Sequence, residues 1–103
     1  MRVLYKPVGA PVEVREVENT LEALQSLVGG YIEVVRVGDV FGGALYYVVN
    51  EEGKLLGLKP NVHTWHDVLC GPVVMLACDG DEFRSLDDSE VEFGEDVMTT
   101  LSE

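Results

Sequence analysis

Basic residues are scarce in this chain. Seven lysines and arginines, at positions 2, 6, 15, 36, 54, 59 and 84, stand against nineteen aspartates and glutamates in 103 residues, for a formal net charge of −12. Nucleic-acid backbones are held by Lys and Arg that displace counterions, and seven scattered ones form no basic stripe. Direct binding to nucleic acid or to an anionic membrane is therefore not expected. An acidic surface instead keeps a protein soluble and draws basic partners or cations toward it. Cysteine is sparse as well: Cys70 and Cys78 lie within or beside apolar stretches and read as two buried thiols rather than a disulfide. No stretch approaches the roughly 18 apolar residues of a membrane span. Met1-Arg2-Val3-Leu4-Tyr5 lacks the apolar run and cleavage site of a signal peptide, so a cytoplasmic location is expected. Phosphate-cradling glycine loops are missing too. Gly29-Gly30, Gly42-Gly43 and Gly80 match neither the P-loop nor the dinucleotide fingerprint and read as caps and turns.

What is present is enough for one domain, residues 1–103, whose hydrophobic content of 47% supports a core without staples. Arg2 to Lys6 is rich in strand formers, and Pro7-Val8-Gly9-Ala10-Pro11 turns the chain. In the next run Val12 and Val14 share a face until Glu16 breaks the alternation, which predicts a strand end there. Asn19 and Glu22 have the spacing of a capping box, predicting a helix over 19–28 that packs Leu21, Leu24 and Val28 and stops at Gly29. Two apolar runs, 31–37 and 44–50, predict a long hairpin, the second strand covered on both faces. Residues 54–61 read as a short strand or an irregular connection. Thr64 predicts a short helix to Leu69, ending at Gly71, with Trp65, Val68 and Leu69 inward. Residues 73–78 form the most continuous apolar run and predict a fully buried strand. Asp87 and Glu90 repeat the capping-box spacing, predicting a C-terminal helix over 88–101 in which Gly94 costs about 1 kcal/mol relative to Ala. The expected fold is α+β: a mainly antiparallel sheet of four to six strands with two or three helices packed on it.

Chemistry-bearing residues are few. On a helix His63, His66 and Cys70 would share a face and could meet a metal, but structural zinc signatures pair such ligands more densely, and Trp65-His66 reads equally well as packing. No metal or cofactor is expected. A cysteine–histidine nucleophile finds no orienting residue, nucleophile elbow or oxyanion loop, so the chain is not expected to be an enzyme. Between Asp79 and Glu103 ten carboxylates face one Arg84. That segment reads either as the solvated face of the last helix or as a surface that imitates spaced phosphates and occupies a basic protein. Phe41, in a glycine-bounded loop, is a candidate contact for a partner or a second copy, and the tyrosines Tyr31, Tyr46 and Tyr47 are candidate stacking surfaces.

An ordered series of short segments is more specific than any of these. Leu27-Val28-Gly29-Gly30-Tyr31-Ile32-Glu33, Val48-Val49-Asn50-Glu51-Glu52-Gly53, Gly57-Leu58-Lys59-Pro60-Asn61, Cys70-Gly71-Pro72-Val73-Val74 and Phe83-Arg84-Ser85-Leu86 together resemble the family catalogued as domain of unknown function 3846. The resemblance spans nearly the whole chain. It implies a small protein of phages, plasmids and other mobile elements, some found in the company of antirestriction proteins, acting in the host bacterial cytoplasm. It implies a setting, with no reaction attached. It points to Tyr31, Glu33, Asn50, Glu51, Glu52, Gly53, Pro60 and Asn61 as the matches to the family pattern. The chain departs from that pattern after Asn61, where Val62-His63-Thr64-Trp65 stand in place of an early basic residue.

Two functions follow as expectations. The first is a non-enzymatic protein that counters host defence by sequestering a small nucleotide-like signal, with Tyr31, Glu33, Asn50, Glu51, Asn61 and His63 as ligand-binding residues. The second is an acidic inhibitor or DNA mimic that blocks a basic host protein through Phe41, Asp88, Glu92 and Glu95. A homo-oligomer is the expected state in either case.

Overall fold

The two most apolar runs lie side by side at the centre of one antiparallel sheet. In the computed structural model, which describes residues 1–40 and 43–102, the strands are β1 (Arg2–Lys6), β2 (Glu13–Glu16), β3 (Ile32–Val40), β4 (Gly43–Asn50), β5 (Pro60–His63), β6 (Val68–Cys70), β7 (Val73–Asp79) and β8 (Glu82–Arg84). The helices are α1 (Leu21–Val28) and α2 (Asp88–Leu101). The main sheet has six strands in the order β2-β1-β7-β4-β3, with β8 also paired to β7. Because β4 takes one edge of β7, β1 and β8 share the other edge end to end, at Leu4↔Met75 and Ala77↔Arg84. The expected antiparallel α+β architecture is the one observed.

Alternation along the central strands sorts their side chains into two cores. Val3, Val48, Val74 and Leu76 point to one face and bury Leu24 and Val28 of α1. Leu4, Leu45, Tyr47, Val49, Val73 and Met75 point to the other, against Met98 of α2 and Val62 and Leu69 of the small β5–β6 sheet. The result is three layers. An eight-residue helix such as α1 is marginal alone, and burying Leu24 and Val28 contributes roughly 1.5–3 kcal/mol each to holding it.

Several expectations are corrected. The N-cap of α1 is Thr20, whose hydroxyl accepts from the Ala23 N–H at 3.2 Å, while Asn19 donates to the Phe83 carbonyl at 3.0 Å. Leu21 is exposed, because a helix that starts after Thr20 buries only the stripe through Leu24 and Val28. Val14, read as sharing a face with Val12, is exposed on β2 at the edge of the sheet. The helix expected after Thr64 is a hairpin. The Thr64 N–H donates to the Asp67 carbonyl at 2.7 Å and its hydroxyl accepts from the Asp67 N–H at 3.0 Å, so the residues that could cap a helix close a tight turn between β5 and β6. Trp65, expected inward, is 91% exposed. Phe41 lies outside the described residues.

Helix α2 spans the expected residues and carries the expected capping box between Asp87 and Glu90. Two features of it are new. Gly94 is where the helix touches the sheet: a Cβ there would stand 2.5 Å from Leu4 Cδ1 and 2.7 Å from Met75 Sδ. Glu90 is fully buried and takes both arms of the Arg84 guanidinium, at 2.8 and 2.9 Å. The acidic segment is therefore not uniformly a solvated face.

Candidate functional site

Of the sequence-predicted ligand residues, Tyr31, Glu33, Asn50 and Glu51 lie at one end of the sheet, where β4 finishes and β3 begins. Gly29 ends α1 at φ 82°, a left-handed position that favours glycine. Beside it Asn50, buried at the end of β4, donates from Nδ2 to the Val28 carbonyl at 3.2 Å and accepts the Glu52 N–H at 2.8 Å. It clamps the helix end to the turn over residues 51–57. Gly30 passes so close that a Cβ there would lie 3.0 Å from Asn50 Nδ2. The Glu51 N–H donates to the Tyr31 carbonyl at 2.8 Å, fixing the backbone on which Tyr31 sits. Its side chain, 68% exposed, stands on the rim of a cleft of about 250 Å³ walled by Gln25, Gly29, Gly30, Asn50, Glu52 and Leu56.

Glu33 and Glu51 line a separate depression of about 220 Å³, with Asn50 shared between the two. Tyr31 and Glu33, two residues apart in the run 31–37 read as one strand, line different depressions, and β3 starts only at Ile32. Lys54 closes the second depression through its ion pair with Asp67. That bond pulls the Asp67 carboxyl below its usual range and raises the Lys54 ammonium.

Asn61 does not join Asn50. It is buried in β5, and its Nδ2 donates to the carbonyls of Lys6 and Gly71, each at 2.9 Å. Its Oδ1 accepts from Lys6 Nζ at 3.0 Å. Both asparagines of the family pattern are thus internal struts. His63 is exposed at the end of β5, opposite Val68. The one-face arrangement of His63, His66 and Cys70 required a helix, and the hairpin puts them on a strand, in a turn and on the facing strand.

On the outer face of α2, Asp88, Glu92 and Glu95 are exposed, spaced four and three residues apart as neighbours on a helix are. Asp88 pairs with Arg2 at 2.9 Å. Glu92 and Glu95 flank a shallow depression with Ser89, Phe93, Asp96 and Thr99.

Sequence reading missed Gln25 and Leu56 of the cleft, which come from a helix and from a turn of unassigned structure. It also missed Lys6, which is 6% exposed and donates to the Pro7 carbonyl at 2.8 Å as well as to Asn61. Burial pushes its pKa below the ordinary 10.5. Alternation could have found it, because Lys6 has the same parity as inward-facing Leu4.

No helix among the described residues is long and apolar enough to cross a membrane. No curated protein and no solved structure matches the chain. The model of the family described as Domain of unknown function (DUF3846) matches residues 1–101, and the chain belongs to that family.

Proposed function

We propose that this protein is a non-enzymatic binder of a small nucleotide-like molecule, which it holds at the Tyr31 cleft. In the mobile-element setting that the family resemblance implies, holding such a molecule sequesters a host signal and counters defence. The observation that carries the reading is Tyr31 itself. A large aromatic ring, 68% exposed, is mounted on backbone fixed by Glu51, Gly29 and the Asn50 clamp, at the edge of a cleft sized for a base or nucleoside. An exposed ring on a rigid mount is a stacking platform that needs little ordering on binding. The Gln25 amide and Glu52 carboxylate supply acceptors for base N–H groups, and Leu56 supplies apolar wall.

The test is thermal unfolding against a panel of nucleosides and linear and cyclic nucleotides. A ligand that binds only the folded chain stabilises it by about 2.7 kcal/mol at one hundred times its Kd. Stabilisation by a subset of the panel supports the reading, and an unchanged transition across the whole panel removes it.

A second reading rests on the outer face of α2. Glu92, Glu95 and Asp96 carry no ion pair among the described residues, so this face presents uncompensated negative charge to a basic protein. Its test is the salt dependence of association with such a partner, and reversal of Asp88, Glu92 and Glu95 to Lys should abolish it.

A further inference from the structure

Five of the seven basic residues are neutralised by a carboxylate: Arg2 by Asp88, Arg15 by Glu13, Arg36 by Asp39, Lys54 by Asp67 and Arg84 by Glu90. Lys6 and Lys59 have no ion pair among the described residues, in a chain with nineteen acids. These two are not scattered. Both line one groove of about 660 Å³ between the end of β1, the start of β5 and the end of α2.

Lys6 is the floor of that groove. The residue is buried, and among the described residues its ammonium is bonded only to neutral acceptors, the Pro7 carbonyl and Asn61 Oδ1. An ammonium has three N–H groups, and the third has no acceptor among the described residues. Burying an ammonium without a carboxylate is costly, and Met or Leu would fill the same space without that cost. The site is also built. Asn61 spends both amide protons on the carbonyls of Lys6 and Gly71, which leaves its Oδ1 locked toward Nζ. Thr99 and Ser102, at the C-terminal end of α2, line the groove as well. The half charge of a helix end offsets only part of two ammoniums, and Nζ bonds none of the helix carbonyls.

We infer that this groove is an anion site for a phosphate or phosphate monoester, which takes the third proton of Lys6 and pairs with Lys59. Two uncompensated ammoniums match a dianion better than a carboxylate, which leaves one of them unneutralised. The groove is three strand spacings from β3, about 14 Å. It is therefore a second site, independent of the Tyr31 cleft, and stands or fails separately from the reading placed there.

The experiment titrates the full chain with inorganic phosphate at constant ionic strength, following the Nζ resonances of the lysines by NMR. Acetate and adenosine monophosphate serve as parallel arms. Phosphate should perturb Lys6 and Lys59 saturably. Lys59→Ala, at an exposed position, should weaken binding roughly tenfold by removing one charge-assisted contact. Lys6→Met should abolish saturation while the chain still folds, and Lys59→Glu should also abolish it if Lys6→Met does not fold. Tyr31→Ala should leave phosphate affinity unchanged. The assignment is overturned by no saturable shift at Lys6, by equal phosphate affinity in the wild type and the Lys59 variants, or by acetate binding as tightly as phosphate. Tighter binding of adenosine monophosphate than of phosphate, retained in Tyr31→Ala, would identify the anion as the phosphate of a nucleotide.

Discussion

Asn61 holds Lys6 at both ends: its Nδ2 donates to the Lys6 backbone carbonyl at 2.9 Å and its Oδ1 accepts from Lys6 Nζ at 3.0 Å. The same amide reaches the Gly71 carbonyl and so joins β1, β5 and the turn before β7. Asn61→Ala takes the amide protons from two carbonyls and one of two acceptors from the Lys6 ammonium, and should cost about 3 kcal/mol in urea unfolding. Asn61→Asp separates geometry from charge. It supplies Lys6 with a carboxylate but has no donor for the two carbonyls, so it too should destabilise. A variant as stable as the wild type would show that the ammonium, and not the carbonyl pair, sets the requirement for asparagine.

Glu90 should contribute to the acid limb of stability. The bond from Arg84 holds its carboxyl below the ordinary 4.5, and the Asp87 N–H adds to this. Protonation is therefore harder in the folded chain than in the unfolded one. The stabilisation is fully present above pH 4.5 and is lost as pH falls through the lower folded value. Glu90→Gln should cost about 2 kcal/mol at neutral pH, discounted from a fully buried pair because the Arg84 side chain is 34% exposed. It should also flatten the decline of stability below pH 4.5, as measured by denaturant unfolding at a series of pH values. An unchanged decline would assign the acid limb to other carboxylates.

Gly94 reads in sequence as a weak point of α2, so Gly94→Ala should gain about 1 kcal/mol from helix propensity alone. The contact with Leu4 and Met75, both fully buried, predicts the opposite sign. Overpacking a core costs about 1–3 kcal/mol, so a net loss near 1 kcal/mol is expected in thermal or urea unfolding. A stabilised variant would mean that α2 can lift away from the sheet.

Patterns of one period were legible in the sequence. The continuous run of β7, the β3–β4 hairpin and both ends of α2 followed from apolar length, alternation and capping chemistry. What misled were residues whose local chemistry serves two structures. Thr64 and Asp67 can start a helix or close a hairpin, and only the burial of Val62 and Leu69 beneath the sheet selects the hairpin. Asn19 and Thr20 are both good caps, and the Phe83 carbonyl claims Asn19. The candidate site was half visible. Tyr31 was found as a tyrosine able to stack and as a match to the family pattern. Gln25 and Leu56 meet in one cleft and Lys6 and Lys59 line another only through tertiary packing, although alternation already marks Lys6 as inward-facing.

Tyr31→Ala removes an exposed ring, so it should change stability by no more than about 0.5 kcal/mol. It should nonetheless eliminate the thermal stabilisation given by any ligand found in the nucleotide panel. Retained stabilisation in a folded Tyr31→Ala chain would move the ligand elsewhere.

The most direct measurement is an amide NMR titration of the full chain with the nucleosides and nucleotides of that panel. Saturable shifts concentrated at Gln25, Gly29, Gly30, Tyr31, Glu52 and Leu56 are predicted for at least one of them. No saturable shift with any, or shifts that leave these six residues unmoved, would contradict the assignment of this cleft to a nucleotide-like ligand.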